Sequence, residues 1–410
     1  MRRGVAEGGA GGRAERYGRH MPDAKTTARE AVSGAAGTLV DLSHRVHAHP
    51  ELNFEEERAA GWVGGVLADG GFDVDAGAAG LPTAFVATAG TGPLTIGICA
   101  EYDALPGIGH ACGHNIIAAA AAGAGLALRP LVDDLGITLK VFGTPAEEGG
   151  GGKVLMLERG AFAGVHAAMM VHPSPVERET MACLAVSHWE VSYRGKSAHA
   201  SAWPEQGINA ADALTVAQVG IGLLRQHIRR TDRIHGIVTH GGDAPNVVPE
   251  SSAGMWLVRS RTLADLDDLE PRVEACFRAG ALATGCEMEM RAMGPRYSEM
   301  RHDVELAAVY RGNAEAMGRR FVDLPGDLSE RTAGSTDMAN VSLAIPAIHP
   351  MLGLDCLPAT NHQPEFTAAC ITPKADDAVL GGATAMAWTC VDMASEASLR
   401  ARLLAGERRD

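Results

Sequence analysis

LTIGICAEYDALPGIGHACGHNIIAAAAAGAGLAL, residues 94–128, reads as a strand, a polar loop and a helix in direct succession. The stretch from Leu94 to Ala100 is almost continuously apolar and of strand length, which suits a strand buried on both faces. The run from Ile116 to Leu128 is alanine, glycine and aliphatic residues, a helix with a small face for close packing. Between them GHACGHN, residues 109–115, sets His110, Cys112 and His114 at alternate positions. A metal site, a redox thiol and a plain polar turn are all compatible with that heptapeptide alone.

The same alternation extends in both directions. Upstream, residues 27–48 have helical spacing that ends near Pro50, because the residue before proline is pushed out of the helical basin. A second amphipathic helix follows in EEERAAGWVGGVLADGGF (55–72), and AFVATAG (84–90) is a short strand. Downstream come ITLKVFGTPAEE (137–148) as strand and loop, GGKVLMLERGAF (151–162) as helix and HAAMMVHPSP (166–175) as strand. Strands and helices in alternation predict a mostly parallel sheet with helices on both faces.

The texture changes between residues 183 and 293. LAVSHWEVSYRG (184–195) alternates like a half-exposed strand, NAADALTVAQVGIGLLRQHI (209–228) is a long helix, and two strands, a helix and a strand follow up to Gly294. That order is the split βαβ plan of an α+β, ferredoxin-like domain, inserted into a first domain that resumes near Tyr297. The expected division is a disordered tail over 1–25, a first domain over 26–182 and 294–400, the insertion over 183–293, and a tail over 401–410. Met21 is an alternative start.

Composition narrows the function. The chain has 410 residues, 46% hydrophobic, and can bury a large core. A net charge of −14 argues against a nucleic-acid partner, so a small molecule or peptide is expected. The eight cysteines include no CxxC pair or small-scaffold spacing, which suits reduced thiols and a cytoplasmic location. No signal-peptide core is visible and no membrane-spanning segment is expected.

Ligand-type side chains gather at the predicted strand ends. Gly113 lets the backbone turn so that Cys112 and His114 can converge on one ion. Glu147 and Glu148 stand side by side on a glycine-rich loop, where open α/β sheets put their ligands; adjacent glutamates in a turn point different ways, so one can hold a metal while the other faces substrate. That loop cannot be a phosphate cradle, since no Ser or Thr follows Lys153. His172 ends the next strand, and His362 lies far downstream in ATNHQPEF. Cys112, His114, Glu148, His172 and His362 form a nitrogen, oxygen and sulfur set suited to two borderline ions such as zinc, manganese, cobalt or nickel. In outline this is a two-metal hydrolase site.

The runs HPEL (49–52), EYDALPGIGHACGHN (101–115), GTPAEEGGGGK (143–153), KSAHAS (196–201), GGDAPNVVPE (241–250), GSTDMANVS (334–342) and NHQPEF (361–366), in order over about residues 27–395, resemble the metal-dependent amidohydrolase, aminoacylase and metallocarboxypeptidase family. Within it the chain is most similar to the branch of aminobenzoyl-glutamate hydrolase and β-alanyl-lysine-type dipeptidases, and Asn115 follows the CGH as in that branch. The resemblance implies a zinc-peptidase-like catalytic domain with an inserted lid and dimerisation domain. It implies that Cys112 bridges two divalent ions, with Glu148, His114, His172 and His362 as further ligands, Glu147 as general base and Asp103 orienting a ligand. It further implies that His199 donates to the oxyanion, from the partner subunit of a homodimer. Asn246 and Arg259 are candidate holders of a substrate carboxylate, since an amide with a guanidinium grips a carboxylate well; Arg261 stands where that branch usually has proline. Arg225, Arg229, Arg230 and Arg233 read as a solvated helix end. The expected activity is hydrolysis of an amide bond in an N-acyl amino acid or small dipeptide. Alternatives are an N-acetyl amino acid deacetylase and a non-catalytic metal-stabilised subunit.

Overall fold

A computed structural model describes residues 21–323 and 333–410. The N-terminal region folds as helices α1 (Met21–Gly34), α2 (Ala36–Ala48) and α3 (Glu57–Asp69). The single helix expected over 27–48 is therefore two, divided at Ala35, whose ψ of 1° leaves the helical basin. Helix also replaces the expected tail from Met21 onward, and residues 1–20 lie outside the described residues.

A six-stranded sheet carries the larger domain. Its strands are β1 (Asp73–Ala76), β2 (Phe85–Ala89), β3 (Leu94–Glu101), β4 (Ile137–Thr144) and β5 (Ala167–Met169), with β11 (Ala347–Ile348), in the order β1-β2-β4-β3-β5-β11. The four strands from β4 to β11 pair in parallel, whereas β1 and β2 close one edge antiparallel. Strand β3, between β4 and β5, is buried along its length except at half-buried Thr95. Helix α4 (His114–Leu128) follows it, and nearly every residue of α4 is buried. The short helices α5 (Val132–Leu135) and α6 (Gly152–Glu158) flank β4 in the chain. Against expectation, the helical run His114–Leu135 has the length and apolarity of a membrane span. It is a core element here, with 83% of its most apolar window buried inside the protein, because small side chains let helices and sheet close on it from all sides.

The strand expected over 166–175 divides. After β5 the chain bends at Met170–Val171, and β6 (His172–Ser174) pairs in parallel with β12 (Met351–Gly353) in a separate two-stranded sheet. The partner strands break at the matching place, His349–Pro350, where proline has no N–H for a ladder. This bend sets His172 at the start of a strand rather than inside one.

The smaller domain is the insertion. Strand β7 (Ala185–Arg194), helix α7 (Ala210–Leu224), strands β8 (Arg233–His240) and β9 (Ser251–Ser260), helix α8 (Leu263–Thr284) and strand β10 (Glu287–Ala292) give an antiparallel sheet in the order β10-β7-β9-β8. That is the ferredoxin-like plan. The helices α7 and α8 cover one face over a separate core that includes Trp189, Trp256 and Phe277. The last helix, Ala397–Leu404, runs into the expected C-terminal tail. Arg402 pairs with buried Asp303 at 2.7 and 3.0 Å, and the backbone N–H of Arg409 donates to the same carboxylate, so the terminus is tied down.

Candidate metal centre

Three segments at the ends of parallel strands converge with one distant loop. After β3, Gly113 takes a left-handed φ of 75° and starts α4, with Cys112 on one side and His114 on the other. A Cβ at Gly113 would stand 2.8 Å from Pro173, so only glycine lets this turn pack against β6. After β4, Ala146 adopts a φ of 57° and turns the chain into Glu147 and Glu148. His362 also has a positive φ, 67°, and its N–H donates to the carbonyl of Ala111 at 3.0 Å, fastening the downstream loop to the Cys112 turn. Strained backbone of this kind persists only where surrounding structure over-determines it.

The side chains meet in three overlapping groups: Cys112, His114 and His172; Cys112, Glu148 and His362; Glu101, His114 and Glu147. Cys112 is common to the first two groups, and Glu148 stands 3.9 Å from His114 Nε2 by one oxygen and 3.7 Å from His362 Nε2 by the other. Most of the cluster is out of water, with His114 fully buried, Glu147 6% and Cys112 7% exposed; His362 is the exposed member.

The cluster's two buried histidines, His114 and His172, are each oriented by Nδ1. His114 places Nδ1 2.9 Å from the Asp103 carbonyl oxygen and 3.0 Å from Asp103 Oδ1. The Nδ1–H is then the donor and Nε2 is left with a lone pair turned into the cluster. His172 does the same by donating from Nδ1 to the carbonyl of Pro173 at 2.9 Å. Asp103 also accepts the backbone N–H of Glu148 at 2.9 Å, so one carboxylate positions a histidine and the glutamate loop together. Burial alone would raise the Asp103 carboxyl, but His114 and the Glu148 N–H hold it below the ordinary range.

The donor set fits divalent cations. Burial, then the negative charge of Glu148 and Glu147, pushes the Cys112 thiol far up. Burial, then Glu101 and Glu148, raises Glu147 well above the ordinary carboxylate range, and burial foremost raises Glu148. Crowded acids of this kind keep their charge only beside a compensating cation. His114 Nε2 is buried and without a hydrogen bond, as an unused ligand atom would be. A thiolate, imidazoles and carboxylates together suit borderline ions.

Sequence reasoning missed what lies beneath. Fully buried Lys153 reaches Glu101 Oε1 and Asp337 Oδ1, each at 2.6 Å, and its backbone N–H donates to Asp337 Oδ2 at 2.8 Å. His349, whose two ring nitrogens have no hydrogen bond, lies against His172 at 5.3 Å between ring centres. Glu56 accepts the Ala146 N–H at 2.8 Å and the Thr83 hydroxyl at 2.9 Å. Glu56 stands four residues after the HPEL run and Asp337 within GSTDMANVS, and neither run by itself gives these acids a task.

The remaining predicted residues lie on the inserted domain, apart from that cluster in their bonding. His199 is exposed, and its Nδ1 accepts the N–H groups of Ser201 and Ala202 at 3.3 Å in its own turn. Exposed Asn246 is joined to the same turn, its carbonyl accepting the Ala200 N–H at 3.0 Å. Arg259, on β9, donates to the Ser335 hydroxyl at 2.7 Å and to His235 at 3.2 Å, spanning the two domains. Arg225, Arg229, Arg230 and Arg233 are all exposed, and three of them are also bonded: Arg225, Arg229 and Arg233 donate to backbone carbonyls, and Arg229 also to Asp268.

A mixed α/β domain with a ferredoxin-like insertion and a buried thiol, imidazole and carboxylate cluster at its strand ends defines a metallohydrolase architecture. Residues 97–376 match Peptidase family M20/M25/M40, and the chain belongs to that family. It is 36% identical over 390 residues to a Xaa-Arg dipeptidase from Mus musculus, covering 90% of this chain and 88% of the relative. It is 32% identical over 286 residues to one of the component chains of the p-aminobenzoyl-glutamate hydrolase of Escherichia coli, covering 64% of this chain and 59% of that one. Among solved structures, an aminobenzoyl-glutamate utilization protein from Klebsiella pneumoniae superposes with a TM-score of 0.72 at 19% identity, over 88% of this chain and 97% of that one. A dinuclear metal-binding peptidase of the same family from Bacillus subtilis gives 0.65 at 21% identity, over 88% and 98%. The chain is a metal-dependent hydrolase of small amide substrates.

Proposed function

We propose that this protein cleaves the amide bond of a small dipeptide or N-acyl amino acid with two divalent ions bound, and that a dipeptide ending in arginine or lysine is its preferred substrate class. The observation that carries the reading is buried Glu147 beside Glu148, in one cluster with Cys112, His114 and His172 and with exposed His362 at its rim. A structural metal site has no use for a second buried glutamate next to the ligand. The similarity to a Xaa-Arg dipeptidase over nine-tenths of the chain points to the basic leaving residue.

Cys112, His114, Glu148, His172 and His362 would hold the ions, which when bound supply an acidified water and a polarised carbonyl. Glu147 accepts the proton of the water and returns it to the leaving amine. Asp103 keeps His114 in one tautomer. Arg259, with Asn246, grips the substrate carboxylate, and His199 supports the oxyanion from the partner subunit.

A homodimer through the inserted domain is part of the proposal. Ile237 and Val238 on the outer strand β8 are 63% and 46% exposed, and Val219 and Leu223 on α7 are 59% and 69% exposed. An open edge and an apolar helix face on one small domain suit pairing with a second copy. The proposed location is the cytoplasm, in line with eight free cysteines, and the metal is zinc, manganese, cobalt or nickel.

The test is release of free amine from a panel containing Xaa-Arg and Xaa-Lys dipeptides, aminobenzoyl-glutamate and N-acetyl amino acids, each with and without added metal. The basic dipeptides should lead by at least about tenfold in kcat/KM, a difference of about 1.4 kcal/mol. The second reading, a deacetylase, has support in 29% identity over 249 residues to an N-acetyl-L-cysteine deacetylase of Bacillus subtilis. Preference for N-acetyl substrates would favour it.

A further inference from the structure

We infer that Glu101 is an additional metal donor, held at the His114 side of the centre by Lys153. The inference rests on the reading of this cluster as a metal centre and adds a residue to it.

Glu101 ends β3, two residues before Asp103, and has no exposure to water. Its two oxygens have different surroundings. Oε1 is taken by the Lys153 ammonium at 2.6 Å, and that ammonium is itself fixed by Asp337 at 2.6 Å. Oε2 faces His114 Nε2 at 3.4 Å, and neither of these two buried atoms has a hydrogen bond. An unsatisfied buried carboxylate oxygen costs about 1–3 kcal/mol or more. A strand end that holds one opposite an unsatisfied imidazole nitrogen is arranged for something between them.

The spacing says what fits. Two donors bound tetrahedrally to one ion at about 2.1 Å stand about 3.4 Å apart. Glu101 Oε2 and His114 Nε2 have that separation, whereas Glu147 Oε2 and Glu148 Oε1 are each 3.9 Å from the same nitrogen. Lys153 explains why the carboxylate does not turn away. Its ammonium sits on the opposite oxygen, and its own backbone N–H is anchored on Asp337. The Lys153–Asp337 pair is thus a positioning device, and Glu101 is the group that would touch the ion.

A carboxylate oxygen added to a nitrogen and sulfur set shifts preference toward harder ions. The proposed consequence is that manganese is retained at the His114 side better than it would be by Cys112 and the histidines alone.

The experiment is titration of chelator-stripped protein with Mn²⁺ and with Zn²⁺, by calorimetry and by elemental analysis after dialysis. The wild type should take two ions per chain. Glu101→Gln, which keeps shape and removes charge, should weaken one Mn²⁺ by about 100-fold, the upper end for changes around a metal site, while Zn²⁺ loses less and the other ion is unchanged. Asp337→Asn keeps Glu101 and alters only the support; it should hold both ions within a few-fold. Circular dichroism and melting of the stripped proteins separate misfolding from metal loss. Two ions bound with wild-type affinity by folded Glu101→Gln overturns the inference, as does equal loss in Glu101→Gln and Asp337→Asn, which would make Glu101 a strut. A wild type that binds no ion fails at the earlier reading instead.

Discussion

Glu147 and Glu148 are neighbours with the same side chain, yet the fold gives them different surroundings. Glu148 shares a group with Cys112 and His362, and its N–H is held by Asp103. Glu147 belongs with Glu101 and His114, and its carbonyl accepts the Tyr297 hydroxyl at 2.6 Å, which fixes the loop from the far side. Glu147→Gln keeps these backbone contacts and removes the proton acceptor. Turnover should fall by about 100- to 10,000-fold with metal content unchanged, measured as initial rate and ions per chain on the same sample. Activity within a few-fold of wild type would take the proton-transfer role from Glu147.

At the scale of elements, the glutamate loop depends on a carboxyl from another segment. Glu56, just before α3, is buried and accepts the Ala146 N–H where that residue takes its positive φ. Burial, then the charge of Asp103, raises the Glu56 carboxyl from 4.5 to about 7. Because the folded value is the higher one, the protonated form contributes stability that is fully present below pH 4.5 and is lost as pH rises through about 7. The loss amounts to about 3 kcal/mol. Glu56→Gln can still accept from Ala146, and its unfolding free energy should lose that slope between pH 4.5 and 7 in denaturant titrations. An unchanged slope would mean the wild-type carboxyl ionises normally. Here also lies the boundary of what sequence could show. The strand, loop and helix of 94–128 were readable because apolar runs and the small-residue helix depend on local pattern. The gathering of Cys112, His114 and Glu148 was readable because ligand types follow the ends of β3 and β4, whereas His172 starts a strand of the separate two-stranded sheet and His362 lies in a turn, so the expected strand-end placement does not describe them. Glu101, Lys153 and Asp337 were not, since three charges on one buried point come together only in tertiary structure. The bend that divides 166–175 was hidden too, because the matching break it faces, at His349–Pro350, lies far along the chain between the two partner strands.

Across the whole molecule, the candidate metal cluster and the residues proposed to complete the site sit on different domains. The clustered ligand-type side chains all belong to the larger domain, whereas His199 and Asn246 belong to the insertion. In the proposed homodimer, His199→Ala and His114→Ala should each be nearly inactive alone and complement each other when subunits exchange. Equal mixing makes half the dimers mixed, each with one sound site of two, so activity should return to about a quarter of wild type. Proven exchange without recovery would place His199 in its own chain's service or in none. The central claim, that the buried cluster is a metal centre for amide hydrolysis, has a more direct measurement. Strip the protein with chelator, remove the chelator, and follow release of free arginine from a Xaa-Arg dipeptide as Mn²⁺ or Zn²⁺ is added back. No release should be detectable without metal, with full recovery as occupancy reaches two ions per chain; release that persists in demonstrably metal-free protein would rule out metal-dependent hydrolysis at this cluster.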